Sequence, residues 1–338
     1  MTSMAHELVV ALIGATGDAG REVRRALRER QFPLRDLRLL AAEDLAEIDD
    51  EDAQAIEPLE GADLSGVDLV FMCATPEITR AWLARAHAAD AMVIDTTHAF
   101  ADVWDVPLVV PEVNADIVPE CMAGGIISTP VSGAVALSIV LKPLAEAAGL
   151  KRVVVAGYES ASSVGPQGVE ELSRQTVDLL NGRSTDTGIF PHRIAFNLIP
   201  QVGAALADGV SVSERRVELQ TRRLLSLSEL PITVTSVYVP TFFGEGYALN
   251  VEMETPLDAG AARALLREAP GILVTDEPQA HAYPTLVEAV DAEATLVGRI
   301  RDDHSAPFGL NLWVVIDGSR KGGAINAVHI AELLARGS

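Results

Sequence analysis

The 338-residue sequence predicts an α/β protein of two domains, and three observations carry that expectation. Short apolar strands alternate with amphipathic helices through the first half, the pattern of a parallel sheet covered on both faces. The first strand runs directly into a glycine-rich turn and then a helix. Beyond Leu150 the texture changes to long strands with alternating apolar and polar positions, which suits a second, α+β domain with one sheet face open for dimerisation.

Taken in order, Leu8–Ile13 is the first strand, and an amphipathic helix runs on to Arg30. Between them lies Gly14-Ala15-Thr16-Gly17-Asp18-Ala19-Gly20, with Gly-x-x-Gly-x-x-Gly spacing. Glycine lets backbone approach a pyrophosphate closely, and a helix N-terminus supplies free amides and partial positive charge. Gly14, Thr16, Gly17, Asp18 and Gly20 are therefore the candidate nucleotide contacts; a tight turn needing small residues for packing would use the same glycines. The strand Leu37–Ala41 is followed by Glu43 and Asp44, at the distance where an acid grips a ribose 2′-hydroxyl and favours NAD over NADP. The same two residues also open an acidic loop reaching Glu60. Further units are the strand Val67–Cys73, a helix from Glu77 to about Ala89, the strand Met92–Asp95 and an extended segment Val106–Asn114.

Gly125–Leu144 reads as a strand, a proline turn and a helix opened by Ser132 and Gly133. The first turn of a helix stabilises developing negative charge, so Ser132 is a candidate nucleophile for acyl chemistry. The simpler reading makes Ser132 an N-cap. The second half then offers a strand Lys151–Tyr158, a helix Pro166–Asn181, an irregular stretch Phe190–Asn197 and a charged helix Ser213–Leu225. Two strands, Ile232–Val239 and Tyr247–Glu254, are expected to pair. A strand Leu310–Ile316 and a helix Ala324–Ala335 close the chain. The glycine-rich segment Asp317–Gly323 between them, with Arg320 and Lys321, is a loop that reaches an anion or one that needs glycine for backbone reasons.

Composition narrows the function classes. Hydrophobic residues make up 49%, enough for two cores. The net charge of −22, from 48 acidic against 26 basic residues, opposes binding to nucleic acid or an anionic bilayer. No run of about 18 uninterrupted apolar residues occurs, and Met1–Glu7 lacks a basic stretch leading into an apolar one. Two cysteines, Cys73 and Cys121, are too few for a disulfide framework or a thiolate metal cluster, which fits a reducing cytoplasm and no structural metal.

Several ordered motifs resemble the aspartate-semialdehyde dehydrogenase family across nearly the whole chain: Gly14-Ala15-Thr16-Gly17 with Gly20, Asp105–Asn114, Leu141-Lys142-Pro143-Leu144, Gly168–Leu172, Ile194–Asn197 and Arg320-Lys321-Gly322. The resemblance implies a Rossmann-like dinucleotide domain over 1–131 and 318–338, completed by the last helix, and a substrate and dimerisation domain over 132–317. It implies reductive chemistry on aspartyl phosphate through NADPH and a cysteine thioester.

The departures fall at the positions that resemblance makes functional. Where the family has Asn-Pro-Asn-Cys this chain has Thr129-Pro130-Val131-Ser132, and where it has Phe-Arg-Gly-His it has Phe242-Phe243-Gly244-Glu245. Ser132 thus replaces the nucleophile and Glu245 the base. Tyr238 stands for the arginine that clamps the substrate carboxylate, Glu159 for the substrate-contacting glutamine and Ala101 for the phosphate-site arginine, while Arg216 keeps a charge where the family has a lysine. Ser163 replaces a glycine of the loop near the nicotinamide, and Gly165 and Arg320 complete the cofactor positions the resemblance gives. The pattern looks like the Usg subgroup, in which the fold is kept and the catalytic residues are gone. It implies a homodimer, or a heterodimer with an active paralogue, with weak or absent binding of NAD or NADP. The competing expectations are an NAD(P)-dependent aspartate-semialdehyde dehydrogenase that keeps its activity by another route, and an oxidoreductase of altered chemistry using Ser132, Glu159 and Glu245 on a neutral or cationic substrate, since two carboxylates in one pocket push one pKa upward.

Overall fold

The computed structural model describes residues 6–42, 56–121 and 125–337. Two compact units divide the chain, Met1–Pro130 with Gly323–Ser338, and Val131–Gly322.

The first unit opens with β1 (Leu8–Ile13), α1 (Asp18–Glu29), β2 (Leu34–Ala41), β3 (Ile56–Pro58), β4 (Leu69–Met72), α2 (Pro76–Ala88) and β5 (Met92–Asp95). Two short helical turns, α3 (Pro111–Asn114) and α4 (Val118–Cys121), precede β6 (Ile126–Ser128). Its six strands are parallel in the order β3-β2-β1-β4-β5-β6. Strands covered on both faces need no polar side, so β4 is an unbroken apolar run, all four residues buried. The strand order reverses between β1 and β4, and the glycine turn lies at the carboxyl end of β1, where such sheets open a crevice. The expected extended segment Val106–Asn114 departs from that description at Pro111, which is preset for the first turn of a helix. Asn114 braces this turn by accepting from the Val110 amide at 2.9 Å and donating to the Leu108 carbonyl at 2.9 Å.

The second unit begins with α5 (Ser132–Ala148), β7 (Leu150–Glu159), α6 (Pro166–Leu180) and α7 (Val212–Leu225). It continues through β8 (Ile232–Tyr238), β9 (Glu245–Met253), α8 (Ala259–Glu268), β10 (Ile272–Val274), α9 (Leu286–Ala289), β11 (Thr295–Asp303) and β12 (Gly309–Ile316). The mixed sheet has the order β10-β11-β12-β9-β7-β8. The expectation that Ile232–Val239 pairs with Tyr247–Glu254 fails. β7 lies between them, parallel to β8 and antiparallel to β9, because its ten residues offer two full ladders. β8 is therefore an edge, and two buried carboxylates of α7 take its free amides: Glu214 accepts from Ser236 at 2.9 Å and Glu218 from Val234 at 3.3 Å.

Helix α5 is apolar all round and buried from Gly133 through Leu141, as a helix laid across a sheet inside a core must be. The opposite face of the sheet is half open. A depression of about 710 Å³ lies there, lined by Val154, Ala156, Ala248, Asn250, Tyr283 and Trp313 among others.

After β12 the segment expected as an open loop winds instead into a π-helical turn over Arg320–Ile325, and α10 (Asn326–Gly337) returns the chain to the first unit. There Val328, Ala331 and Leu334 share one core with Val10, Leu12 and Phe71. Arg30 holds Glu332 through two nitrogens at 2.8 and 2.9 Å, and the Asn326 amide donates to the Val109 carbonyl at 3.0 Å. No helix among the described residues is long and apolar enough to cross a membrane.

Candidate functional site in the second unit

Val131, with extended backbone, is the residue that precedes α5, so Ser132 is the first residue inside the helix and not its N-cap. The N-cap expectation is corrected by one residue, and the consequence is chemical. The Ser132 hydroxyl caps nothing; it donates to Glu245 Oε2 at 2.7 Å. Tyr247 Oη donates to the same carboxylate oxygen at 2.7 Å. The helix start is held from α7, where Gln220 Oε1 accepts from the Val131 amide at 2.8 Å.

Glu245 begins β9 and lies directly across the ladder from Glu159, the last residue of β7. Both are buried, Glu245 to 5% exposure and Glu159 to 8%. Burial, and then the charge of Glu245, push the Glu159 carboxyl up to about 8, although the Ser213 hydroxyl donates to it at 3.5 Å. Burial also raises Glu245, and the bonds from Ser132 and Tyr247 hold that rise back. Two acids so placed oppose each other's ionisation. The two hydroxyls that donate to Glu245 Oε2 favour its charged form against the burial that opposes it. Tyr247 is raised well above an ordinary phenol by burial and by these same carboxylates, which keeps it a donor.

Glycines close around this group. A Cβ on Gly318 would stand 2.0 Å from Glu245 Oε1, one on Gly322 2.6 Å from Ser132 Cβ, and one on Gly133 2.9 Å from Tyr247 Oη. The glycines of the 317–323 segment therefore admit close approach to the serine and the carboxylate. Arg320 of that segment is buried, with Nε donating to the Asp291 carbonyl at 3.2 Å and a terminal nitrogen 3.6 Å from Glu293. Lys321 is fully buried.

The remaining residues singled out in the sequence are distributed as follows. Tyr238 is buried with its ring edge-on to Phe190 at 5.1 Å, and Glu159 raises its phenol after burial does. Arg216 is half-buried on α7, one turn before Gln220 and so on the same helix face. Ser163 donates to the Ser160 carbonyl at 2.8 Å, and Gly165, at φ +85, starts α6 with open space where a Cβ would be. Ala101 is buried in the first unit. Sequence reading missed Tyr247 and Gln220. The period-two rule was a usable signal for Tyr247, which shares a strand face with Glu245; nothing local marked Gln220.

The glycine turn belongs to the first unit. Gly14 has φ +91, and a Cβ there would stand 2.6 Å from the Ala74 amide nitrogen; at Gly20 it would stand 2.2 Å from the Gly14 carbonyl. Packing alone requires both. Gly17 differs: a Cβ there would meet the Gly14 oxygen at an ordinary 3.6 Å, and as the N-cap of α1 it brings no side-chain cap. An uncapped helix start bounded by glycines fits a nucleotide phosphate. Arg21 donates to the Thr16 carbonyl and to Asp18. Glu43 lies outside the described residues. Cys73 is buried with its thiol pushed up to about 12, which makes it unreactive. Among the described residues no three His, Cys, Asp or Glu side chains are grouped to hold a metal.

The sequence model of the semialdehyde dehydrogenase NAD binding domain matches residues 9–120, and that of the semialdehyde dehydrogenase dimerisation domain matches 141–321. The aspartate-semialdehyde dehydrogenase of Legionella pneumophila is 37% identical over 98% of this chain and 97% of its own. The chain belongs to the aspartate-semialdehyde dehydrogenase family. Within that family, the crystal structure of aspartate semialdehyde dehydrogenase II from Vibrio cholerae superposes with a TM-score of 0.94 at 36% identity, covering 98% of this chain and 99% of that one. A probable aspartate-semialdehyde dehydrogenase from Pseudomonas aeruginosa gives 0.91 at 37%, covering 97% and 98%.

Proposed function

We propose that this chain is a homodimeric, nucleotide-binding member of the aspartate-semialdehyde dehydrogenase family, of the Usg type, that does not run the family's thioester reduction. The observation that carries the reading is the Ser132–Glu245 contact at 2.7 Å with Glu159 facing it. A cysteine thiolate at this position would form a thioester, whereas Ser132, even with Glu245 to take its proton, forms only an oxygen ester. An oxygen ester is also a poorer hydride acceptor than a thioester. Substrate binding is opposed as well, since an aspartyl phosphate would bring two anionic groups towards a buried acid pair, with Tyr238 where a cationic clamp would be needed.

The uncapped start of α1 and the match to an NAD binding domain support nucleotide binding at Gly14, Thr16, Gly17, Asp18 and Gly20, and the Glu43 position favours NAD. Such a cofactor supplies hydride chemistry when bound; the chain's own part is to cradle its phosphates on the α1 amides. The match to a dimerisation domain and the open face of the mixed sheet support the dimer. A heterodimer with an active paralogue would use the same face.

Purified protein supplied with aspartate semialdehyde, phosphate and NADP is expected to produce no NADPH. Ser132→Cys is expected to stay inactive too, because a thiolate beside the Glu245 carboxylate is disfavoured and both anion clamps are still absent. Turnover in the ordinary range of about 1–1000 per second would overturn the reading. Calorimetry with NAD and NADP tests the nucleotide half separately, and a flat titration at millimolar ligand removes it. A second reading, an oxidoreductase of altered chemistry using Ser132, Glu159 and Glu245, is favoured by the closeness of the two buried carboxyls; NAD-dependent oxidation of a neutral or cationic aldehyde would establish it.

A further inference from the structure

Ser132 has what a serine needs for chemistry other than hydride transfer. Its hydroxyl already donates to a buried carboxylate, and that carboxylate is held by a third group, Tyr247, through the same oxygen. Nucleophile, base and orienting residue in hydrogen-bonded sequence is the arrangement that activates a hydroxyl. Ser132 itself is half-buried and reachable, while Glu245 and Tyr247 beneath it are covered. The strand ladders fix the base from both sides, with Glu159 opposite it on β7 and Ile316 on β12. Gly318 and Gly322 leave no room for a side chain that would part the pair. At the α5 start the Val131 amide is taken by Gln220 and the Ala134 amide by the Val131 carbonyl, and no side chain caps the helix.

We propose that Ser132 is an acyl-accepting nucleophile with Glu245 as its base, and that this site hydrolyses small carboxylic esters whose acyl part is neutral or carries an ammonium group. Ser132 Oγ attacks the ester carbonyl carbon while its proton passes to Glu245 Oε2, and the carbonyl electron pair moves onto oxygen. Collapse breaks the bond to the alkoxy group, which leaves as the alcohol with the proton from Glu245. The acyl group is then on Ser132. Water, losing its proton to Glu245, attacks this ester; collapse returns the proton to Ser132 Oγ and frees the acid. The sum is ester plus water giving acid plus alcohol, with no oxidation, so the proposal stands apart from any nucleotide. The acid pair sets the substrate class, because an anionic acyl group would be brought towards two buried carboxyls, Glu159 and Glu245. Burial raises Glu245 into a range where it accepts a proton more readily than an exposed carboxylate.

The test uses the full-length protein with three p-nitrophenyl esters: acetate, the alanine ester and the hydrogen succinate. The acetate and alanine esters are expected to release p-nitrophenol at least about 100-fold above buffer, and the succinate at least about tenfold more slowly than the acetate. Acid quenching during acetate turnover is expected to leave one acetyl mass on the peptide that holds Ser132. Ser132→Ala, which removes one oxygen and leaves Tyr247 donating to Glu245, is expected to abolish both the release and the label while the circular dichroism spectrum stays that of the unaltered protein. Tyr247 is a positioning residue: Tyr247→Phe removes a bond that favours the charged base, so the rising limb of the pH profile moves to higher pH. Release unchanged in Ser132→Ala, or acetyl found elsewhere, overturns the nucleophile; succinate hydrolysed as fast as acetate overturns the substrate class. None of these readouts involves NADP, so they fail or hold independently of the missing dehydrogenase activity.

Discussion

Glu159 makes the protein's stability depend on pH in a direction opposite to that of an ordinary ion-paired carboxylate. Its folded-state pKa, about 8, lies above the value near 4.3 of an unfolded glutamate. The folded chain therefore binds the extra proton between those limits, and stability falls as pH rises through them. Melting temperature is expected to drop from pH 6 to pH 9. Glu159→Gln, which keeps the shape and removes the ionisation, should flatten that drop and recover on the order of a few kcal/mol at pH 9. An equally steep decline in the variant would mean that Glu159 is not the group titrating. The identities of these residues were legible in the sequence, because Thr129-Pro130-Val131-Ser132 and Phe242-Phe243-Gly244-Glu245 stand in recognisable frames. Their joint chemistry was less so. A one-residue error at the start of α5 turned a hydroxyl bonded to Glu245 into a cap, and no local pattern fixes a helix start that finely when the side chain has a better partner elsewhere in the fold.

At the level of elements, the site exists because β7 and β9 end and begin at the same rung, and because the backbone after β12 passes tightly over it. Alternation revealed β7, β8 and β9 as strands, but strand order depends on long-range pairing that no local pattern encodes, so the β8–β9 pairing was misjudged. β11 was not seen at all. It contains Gly298 and a left-handed Arg299, its register with β12 shifts between Gly298 and Arg301, and charged residues fill its second half. The 317–323 segment looked like an anion loop since glycine and basic residues have that appearance in either role; only the contact of Gly318 with Glu245 separates them. Gly318→Ala is accordingly expected to cost about 1–3 kcal/mol in urea unfolding, because a Cβ 2.0 Å from Glu245 Oε1 must displace the carboxylate or the turn. A variant as stable as the wild type would show that the turn yields freely, and the tight enclosure of the base would then carry no weight.

At the scale of the whole molecule, a sequence 36% identical to the Vibrio cholerae enzyme keeps its fold to a TM-score of 0.94, so the many differences between the two sequences are absorbed without rearranging the chain. Such tolerance requires that buried polar residues keep partners, as Ser132 and Glu245 do in each other. The half-open face of the mixed sheet is the other whole-molecule feature. Ala156 and Ala248 are opposite one another on β7 and β9, both half-buried, at the floor of a depression that Trp313 and Tyr283 also line. An apolar face of this kind is covered by a second copy if the chain dimerises as proposed, and a net charge of −22 means that only a well-packed contact overcomes the repulsion between copies. Ala248→Asp would place an unpaired carboxylate at the centre of that contact, costing several kcal/mol of association while barely disturbing a monomer in which the position is half open. Sedimentation velocity at micromolar protein is expected to show the wild type as a dimer and Ala248→Asp as a monomer with an unchanged circular dichroism spectrum. A variant that still sediments as a dimer would move the interface to another surface, and a wild type that sediments as a monomer would remove the dimer from the proposed function.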